Sequence, residues 1–184
     1  MFNGVIINIE INVKTITMKY FTMDEFIRSE TARQRGIDNT PSEYQKNNVI
    51  EMVDNLLDPL REAWAVECNK YKLGTAAIRV TSGIRSKALN EAVGGSKTSA
   101  HYHGYAADLV PCNGNLKHFK KFCVNWLFDK DFDQIISEDE DKNHVPRWIH
   151  IGYKHGSGKQ RQQFLYMVDG KYYDLNEQIS GNYL

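Results

Sequence analysis

The chain of 184 residues has the length of one ordinary domain, and its 23 Lys and Arg residues balance its 23 Asp and Glu residues. A net charge of zero removes the electrostatic argument for a general nucleic-acid or membrane-surface binder. A hydrophobic content of 41% indicates a globular chain. The three cysteines include no Cys-x-x-Cys pair, which favours buried thiols over a disulfide framework. No apolar run is long enough to predict a membrane span.

The first 17 residues differ in pattern from the rest of the chain. Apolar and polar residues alternate from Ile7 to Val13, which is typical of a strand or an appended arm. The segment has no basic region at its start and does not resemble a secretory signal peptide. We therefore expect an N-terminal arm over residues 1–17, dispensable if translation begins at Met18, and a single domain over residues 18–184.

Helix signals dominate the next part of the chain. The segment FTMDEFIR is typical of a short helix. A second helix is predicted to begin with Thr40 as N-cap, Pro41 as first helical residue and Glu43 closing a capping box. Asp58 as N-cap and Pro59 as first helical residue are predicted to start or kink a further helix through LREAWAVECNKY.

Strand patterns predominate from Ala76 onward. AAIRVTSG, YAADLVP, FDQIIS and RWIHIGY are strand-like, and QQFLYMV and GKYYDL form a terminal pair around the Asp169-Gly170 turn. The helices predicted between them are SKALNEAVGG and the amphipathic LKHFKKFCVNWLF. Helices first and strands later, without regular alternation, predict an α+β fold with a mainly antiparallel central sheet and helices packed on one face.

The segment SAHYHGYAADL, residues 99–109, concentrates metal-binding side chains. Alternation along YAADLV and RWIHIGY places Asp108 and His150 on the polar faces of two strands, and both converge if the strands are neighbours. His101 enters from the preceding loop, and Gly104 permits the turn. Two imidazoles and one carboxylate with a free fourth position are the ligand set of a catalytic zinc, so we predict one Zn²⁺ ion here. Ordinary polar residues on a solvated sheet face remain the alternative.

A family resemblance supports the zinc interpretation. SAHYHGYAAD fills every fixed position of the SxHxxGxAxD signature of the zinc D-alanyl-D-alanine peptidases, a superfamily that includes phage L-alanyl-D-glutamate endolysins and the hedgehog signalling domain. VTSGIRS and WIHIGY also match, and FTMDEFIRSETARQRGIDNTP is similar to the phage and prophage branch. The likeness covers about residues 18–155 and implies the same three zinc ligands, His101, Asp108 and His150, in a hedgehog/D-Ala-D-Ala peptidase-like α+β fold.

The resemblance also implies roles for residues around the metal. Arg85 of SGIRS would hold a substrate carbonyl or carboxylate, because an arginine supplies charge and fixed donors to an oxyanion. Ser99 would orient the loop or a ligand through a hydrogen bond. His103 is either a substrate contact or a solvent-facing histidine. The aromatic residues that either line a groove or, as we favour, pack on the sheet are Trp148, Tyr153, Tyr166, Tyr172 and Tyr173.

At the position of the general base, this sequence differs from the better-known members of the family. Some of them carry a glutamate three residues before the third ligand, and here that position is Arg147. The segment SEDEDKNHVP offers replacements. We favour Glu138, which ends the FDQIIS strand, because a strand end positions a side chain better than a loop does, and Asp139 and His144 are the alternatives. Residues 140–142 are expected at a solvated hairpin tip.

These features predict a zinc metallopeptidase that cleaves peptidoglycan stem peptides, as a D-Ala-D-Ala carboxypeptidase or an endolysin-type endopeptidase. Because the usual glutamate is missing, a zinc-containing binding module of the same fold without activity is the alternative, and a metal-free structural protein such as a virion component is a third. We expect a monomer that binds peptidoglycan and no nucleic acid. Without a signal peptide, we expect cytoplasmic synthesis with phage-dependent release to the cell wall, or incorporation into a virion.

Overall fold

The computed structural model describes residues 18–175, so the predicted arm over residues 1–17 lies outside the described part. The helices are α1 (Met23–Ile27), α2 (Glu30–Arg35), α3 (Glu43–Met52), α4 (Asp58–Tyr71), α5 (Lys87–Ala92), α6 (Ala100–His103) and α7 (Leu116–Leu127). The strands are β1 (Ile78–Ser82), β2 (Ala106–Pro111), β3 (Gln134–Glu138), β4 (Trp148–Gly152), β5 (Gln163–Val168) and β6 (Lys171–Asp174). None of these helices has the length and apolar character that a membrane span requires.

The strands form one six-stranded sheet in the order β1-β2-β4-β3-β5-β6. Neighbouring strands are antiparallel except β3 and β5, which are parallel. The terminal hairpin turns at Asp169 and Gly170, whose positive φ angles of 49° and 73° suit a two-residue hairpin loop. The predicted α+β class with a mainly antiparallel sheet is confirmed.

Alternation along the central strands separates an apolar face from a polar one. Ala107 and Leu109 on β2 and Ile149 and Ile151 on β4 are fully buried. They belong to one apolar cluster with buried residues of the helices, including the fully buried Trp64 of α4. The residues between them on each strand point to the opposite face, as the two-residue period requires.

Helices α3 and α4 are joined by a π-helical turn over Val53–Leu57. Pro59 lies in the first turn of α4, directly after this π-helical turn, a local irregularity of the kind that accompanies a proline within a helix. The predicted start or kink at this position is confirmed. Asp58, however, does not cap its helix, because its carboxylate accepts hydrogen bonds from the backbone N–H groups of Lys19 and Tyr20.

The predicted cap of the second helix was wrong by two residues. The N-cap is Ser42, whose hydroxyl accepts a hydrogen bond from the backbone N–H of Gln45 at 3.3 Å, while the Gln45 side chain accepts one from the Ser42 N–H at 3.0 Å. Both TPSE and SEYQ fit the capping-box spacing. The second is used, and the amide of Gln45 also donates to the carbonyl of Tyr102 at 2.8 Å.

The predicted solvated hairpin tip was wrong for Glu140. Its side chain is fully buried and accepts a 2.6 Å hydrogen bond from the ammonium of Lys120, which is 1% exposed on α7. Burial lowers the pKa of Lys120, and the Glu140 carboxylate opposes that effect. Asp141 and Lys142 are exposed, as expected.

The three cysteines are unpaired, as predicted. Cys68 and Cys123 are buried, whereas Cys112 is exposed, which corrects the prediction of buried thiols at that position.

Candidate metal centre

Three side chains predicted as metal ligands converge on the polar face of the sheet. His101 Nε2 lies 3.1 Å from His150 Nδ1 and 3.2 Å from Asp108 Oδ1, and the last two atoms are 3.0 Å apart. All three residues are buried. Ligand atoms of a tetrahedral zinc site, with bonds of about 2.0–2.1 Å, are about 3.3–3.4 Å apart, so this triangle is close to the size that zinc requires.

Sheet register and one glycine bring these residues together. The antiparallel pairing of β2 with β4 places Asp108 directly opposite His150. His101 comes from the short helix α6 and not from a loop as predicted. Gly104 ends α6 with a φ of 76°, and a Cβ atom there would lie only 2.6 Å from the backbone oxygen of Gln45. The turn that returns the chain into β2 therefore requires glycine at this position.

Hydrogen bonding determines which nitrogen of His101 faces the centre. Its Nδ1 donates to the backbone carbonyl of Gly83 at 2.7 Å, because a carbonyl only accepts. Nε2 therefore presents a lone pair to His150 and Asp108. Sequence reasoning missed this role of Gly83 and assigned the orienting hydrogen bond to Ser99. Ser99 occupies the N-cap position of α6, and its side chain does not cap that helix.

The electrostatics of the triad suit a divalent cation. Burial lowers the pKa of His101, so its imidazole is neutral at pH 7. Burial alone would raise the pKa of Asp108, but the adjacent His101 and His150 hold it well below its usual range. The three facing atoms thus belong to one carboxylate and two imidazoles, which are donor types that zinc binds.

The triad lies in the wall of a cavity of about 500 Å³. Residues that share this wall and bear on its chemistry are Arg85, Ser99, Glu138, Trp148, Arg161 and Tyr172. His103 lies elsewhere, in a separate pocket beside the rings of Tyr44 and Tyr102. His103 therefore does not line this cavity, which favours the second of its two predicted roles, that of a histidine without a substrate contact.

Arg85 is held against the triad. Its Nη2 donates to Asp108 Oδ2 at 3.3 Å and to the hydroxyl of Ser82 at 3.1 Å. The side chain is 19% exposed and lines the cavity. A guanidinium fixed in this way adds positive charge beside any group that approaches the triad.

Glu138 is the last residue of β3 and shares a sheet face with His150. Burial raises the pKa of its carboxyl to about 7, and the nearby charge of Asp108 adds to this effect while His150 opposes it. The two alternatives do not line the cavity: Asp139 pairs with exposed Arg147 at 2.9 Å, and His144 faces buried Glu140. The geometry favours Glu138 among the three candidate bases.

The aromatic residues divide between the two predicted environments. Tyr153 and Tyr166 pack against the apolar core, and Tyr173 stacks on Tyr166 with ring centres 5.2 Å apart. Trp148 and Tyr172 line the cavity instead.

Sequence reasoning missed Asp133 and Arg161 in the same wall. Arg161 lies beyond the motifs, and no spacing pattern connects either residue to them.

A comparison with protein-family models gives a match for this chain. Residues 19–151 match the family model described as Peptidase M15. The match covers more than half of the chain and contains the triad, Arg85 and Glu138, whereas Arg161 and Tyr172 lie beyond it. A search of curated proteins found no match.

Proposed function

The chain belongs to the peptidase M15 family, and from that premise we propose that it is a zinc peptidase that hydrolyses peptidoglycan stem peptides. The observation that carries the proposal is the triangle of His101, Asp108 and His150 donor atoms, with sides of 3.0 to 3.2 Å. His101, Asp108 and His150 would hold the zinc, with the three protein ligands that are usual in catalytic zinc sites. Bound there, zinc would supply Lewis-acid chemistry, which polarises a carbonyl group and lowers the pKa of water to about 7.

Arg85 binds the carbonyl oxygen of the bond that is cut. Its Nε and Nη2 are held by Ser82 and Asp108, and its Nη1 has no hydrogen-bond partner within residues 18–175. Negative charge grows on the carbonyl oxygen during attack by water. A guanidinium fixed beforehand stabilises that charge without reorganisation.

Glu138 accepts the proton of the attacking water and passes it to the amine that leaves. A carboxyl whose pKa is raised by burial suits both steps better than an ordinary one, because efficient proton transfer needs a group that is neither too weak nor too strong a base. Within the described residues the Glu138 carboxyl makes no side-chain hydrogen bond. It is therefore available to water or substrate in the cavity.

The substrate class rests on the resemblance to the phage and prophage branch. Two bonds of the stem peptide are candidates: D-Ala–D-Ala at its end and L-Ala–D-Glu at its start. The setting that we propose is a monomer made in the cytoplasm and then released to the wall during phage lysis or carried in a virion.

A zinc-containing binding module without activity is the second candidate function. It is favoured by Arg147, which stands where related peptidases carry a catalytic glutamate and which pairs with Asp139 outside the cavity.

Digestion of purified sacculi, followed by mass spectrometry of the released peptides, tests the proposal. Wild-type protein loaded with zinc should release products, and the masses identify the bond that is cut. His150→Ala should abolish release and weaken zinc binding by more than about 100-fold, because it removes a ligand and not an outer partner. Glu138→Gln should keep the zinc and lose turnover. His118→Ala removes a half-buried histidine outside the cavity and should match wild type.

The decisive contrary result concerns the wild-type protein. If it retains zinc but releases nothing from sacculi or from D-Ala-terminated peptides, the binding module is the better description. If dialysed protein retains no metal, the zinc site itself is excluded.

A further inference from the structure

The cavity contains a second arginine outside the segment that matches the family. Arg161 lies between β4 and β5, and its Nε and Nη2 each donate to one oxygen of the Asp133 carboxylate at 2.6 Å. Asp133 is fully buried, whereas the Arg161 side chain is one-third exposed. Both residues line the cavity. The buried carboxylate therefore fixes a guanidinium at the cavity wall.

The way Asp133 binds leaves donors of Arg161 free. It occupies the side of the guanidinium formed by Nε and Nη2. Nη1 has no hydrogen-bond partner within the described part of the chain, so Nη1 and the second N–H of Nη2 form an unused fork. Such a fork matches the two oxygens of a second carboxylate. Because Asp133 already orders the side chain, binding that carboxylate costs little further entropy.

The Asp133–Arg161 pair adjoins the metal centre on the side of His150. Asp133 Oδ2 and His150 Nε2 lie 3.7 Å and 3.6 Å from the position that a Cβ atom would take at Gly152. Both atoms therefore border the same small space beside Gly152. Arg85 adjoins the triad from the other side, through Asp108. The two arginines are therefore placed to bind different groups of one substrate.

Both candidate bonds share one chemical feature. The residue whose amine leaves carries a free α-carboxylate, either because it is the terminal D-Ala or because D-Glu is linked through its γ-carboxyl. A carboxylate in this cavity meets the carboxylates of Asp108, Asp133 and Glu138 and needs hydrogen-bond donors that they do not already occupy. Arg161 offers such donors in Nη1 and the second N–H of Nη2. We infer that Arg161, positioned by Asp133, binds this α-carboxylate and makes the enzyme specific for it; the inference rests on the proposed peptidase function.

Peptides that differ in a single carboxylate test the inference. The probes are L-Ala-γ-D-Glu-L-Lys-D-Ala-D-Ala, its C-terminal amide, and its analogue with the D-Glu α-carboxylate amidated. Wild type should cleave the parent peptide about 10- to 100-fold better, in kcat/KM, than the peptide amidated next to the cleaved bond. The amide that is discriminated against identifies which of the two carboxylates is bound.

Arg161→Lys keeps the charge and a contact with Asp133 but removes the fork. Its ratio of kcat/KM for acid over amide should fall towards one, chiefly through KM. Arg33→Lys is the matched control, because Arg33 makes the same Nε and Nη2 contacts with Glu30 on the surface of α2. Equal kcat/KM of wild type on acid and amide overturns the inference. An equal loss on both peptides in Arg161→Lys does the same.

Binding measured by calorimetry in the Glu138→Gln background separates this inference from the proposed function. If wild type hydrolyses no peptide, the proposed function fails. The inference is still supported if the acid peptide binds more tightly than its amide and if Arg161→Lys abolishes this preference. Absence of that preference overturns it. If Arg161→Lys does not fold, the double variant Asp133→Asn with Arg161→Gln replaces the ion pair by neutral amides, and the same loss of preference is expected.

Discussion

Replacing Glu138 with glutamine should stabilise the metal-stripped protein at neutral and higher pH. Burial raises the pKa of Glu138 from 4.5 to about 7 in the folded protein. The folded state therefore binds a proton that the unfolded state releases, and wild-type stability falls as pH rises through this window. At about 1.4 kcal/mol per pH unit, the loss is about 3 kcal/mol above pH 7 and vanishes below the unfolded pKa. Glutamine cannot ionise, so the variant does not lose this free energy of unfolding as pH rises.

Urea denaturation from about pH 4.5 to about pH 8 measures this effect. Wild type and Glu138→Gln are treated with a chelator first, because a divalent cation at the triad would lower the pKa of Glu138. The difference in free energy of unfolding should be near zero at the lowest pH and grow to about 3 kcal/mol at the highest. A difference that does not change with pH would refute the reasoning. Glu62→Gln is the control, since the pKa of exposed Glu62 is lowered by its hydrogen bond with Lys19 and its replacement should not stabilise.

Other substitutions separate packing from chemistry. Glu140→Gln should lower the free energy of unfolding by about 3–5 kcal/mol in urea denaturation, because it leaves the buried Lys120 ammonium without its carboxylate. The double variant Lys120→Met with Glu140→Leu should recover most of this loss. A double variant as unstable as Glu140→Gln would contradict this account. Gly104→Ala should lower the free energy of unfolding by at least about 2 kcal/mol in thermal denaturation, because φ is positive there and the added Cβ atom would clash with the Gln45 backbone oxygen. It should also weaken zinc binding in a competition assay. Unchanged stability would mean that the turn relaxes freely. Arg85→Gln should lower kcat by about 100-fold in protein saturated with zinc, and an unchanged kcat excludes the assigned contact with the carbonyl oxygen.

The strands and their faces were largely predictable from the chain. The alternation of Ile149, His150 and Ile151 follows from the two-residue period of any strand, and burial of the isoleucines places the histidine on the other face. The partner strand was not predictable in the same way. That Asp108 lies opposite His150 depends on the register between segments some forty residues apart.

The local errors have a common cause. TPSE and SEYQ both satisfy the capping-box spacing, and SEYQ is the one that forms. Its last residue, Gln45, also donates a hydrogen bond to Tyr102, which is far along the chain. Glu140 sits in an acidic segment typical of solvent, but a lysine on the buried side of α7 needs its charge. In both places a tertiary contact prevailed over a local preference.

The amino-acid sequence by itself determined the donor types at the centre and the glycine turn that separates them, because chemistry and backbone freedom are properties of individual residues. It also determined the mixed fold class, because periodicity is local. Only the tertiary structure decided that Glu138 reaches the cavity while Asp139 does not, and that Arg161 joins the same wall. Those outcomes depend on distances between remote segments, which are set by sheet register and core packing and are absent from any local pattern.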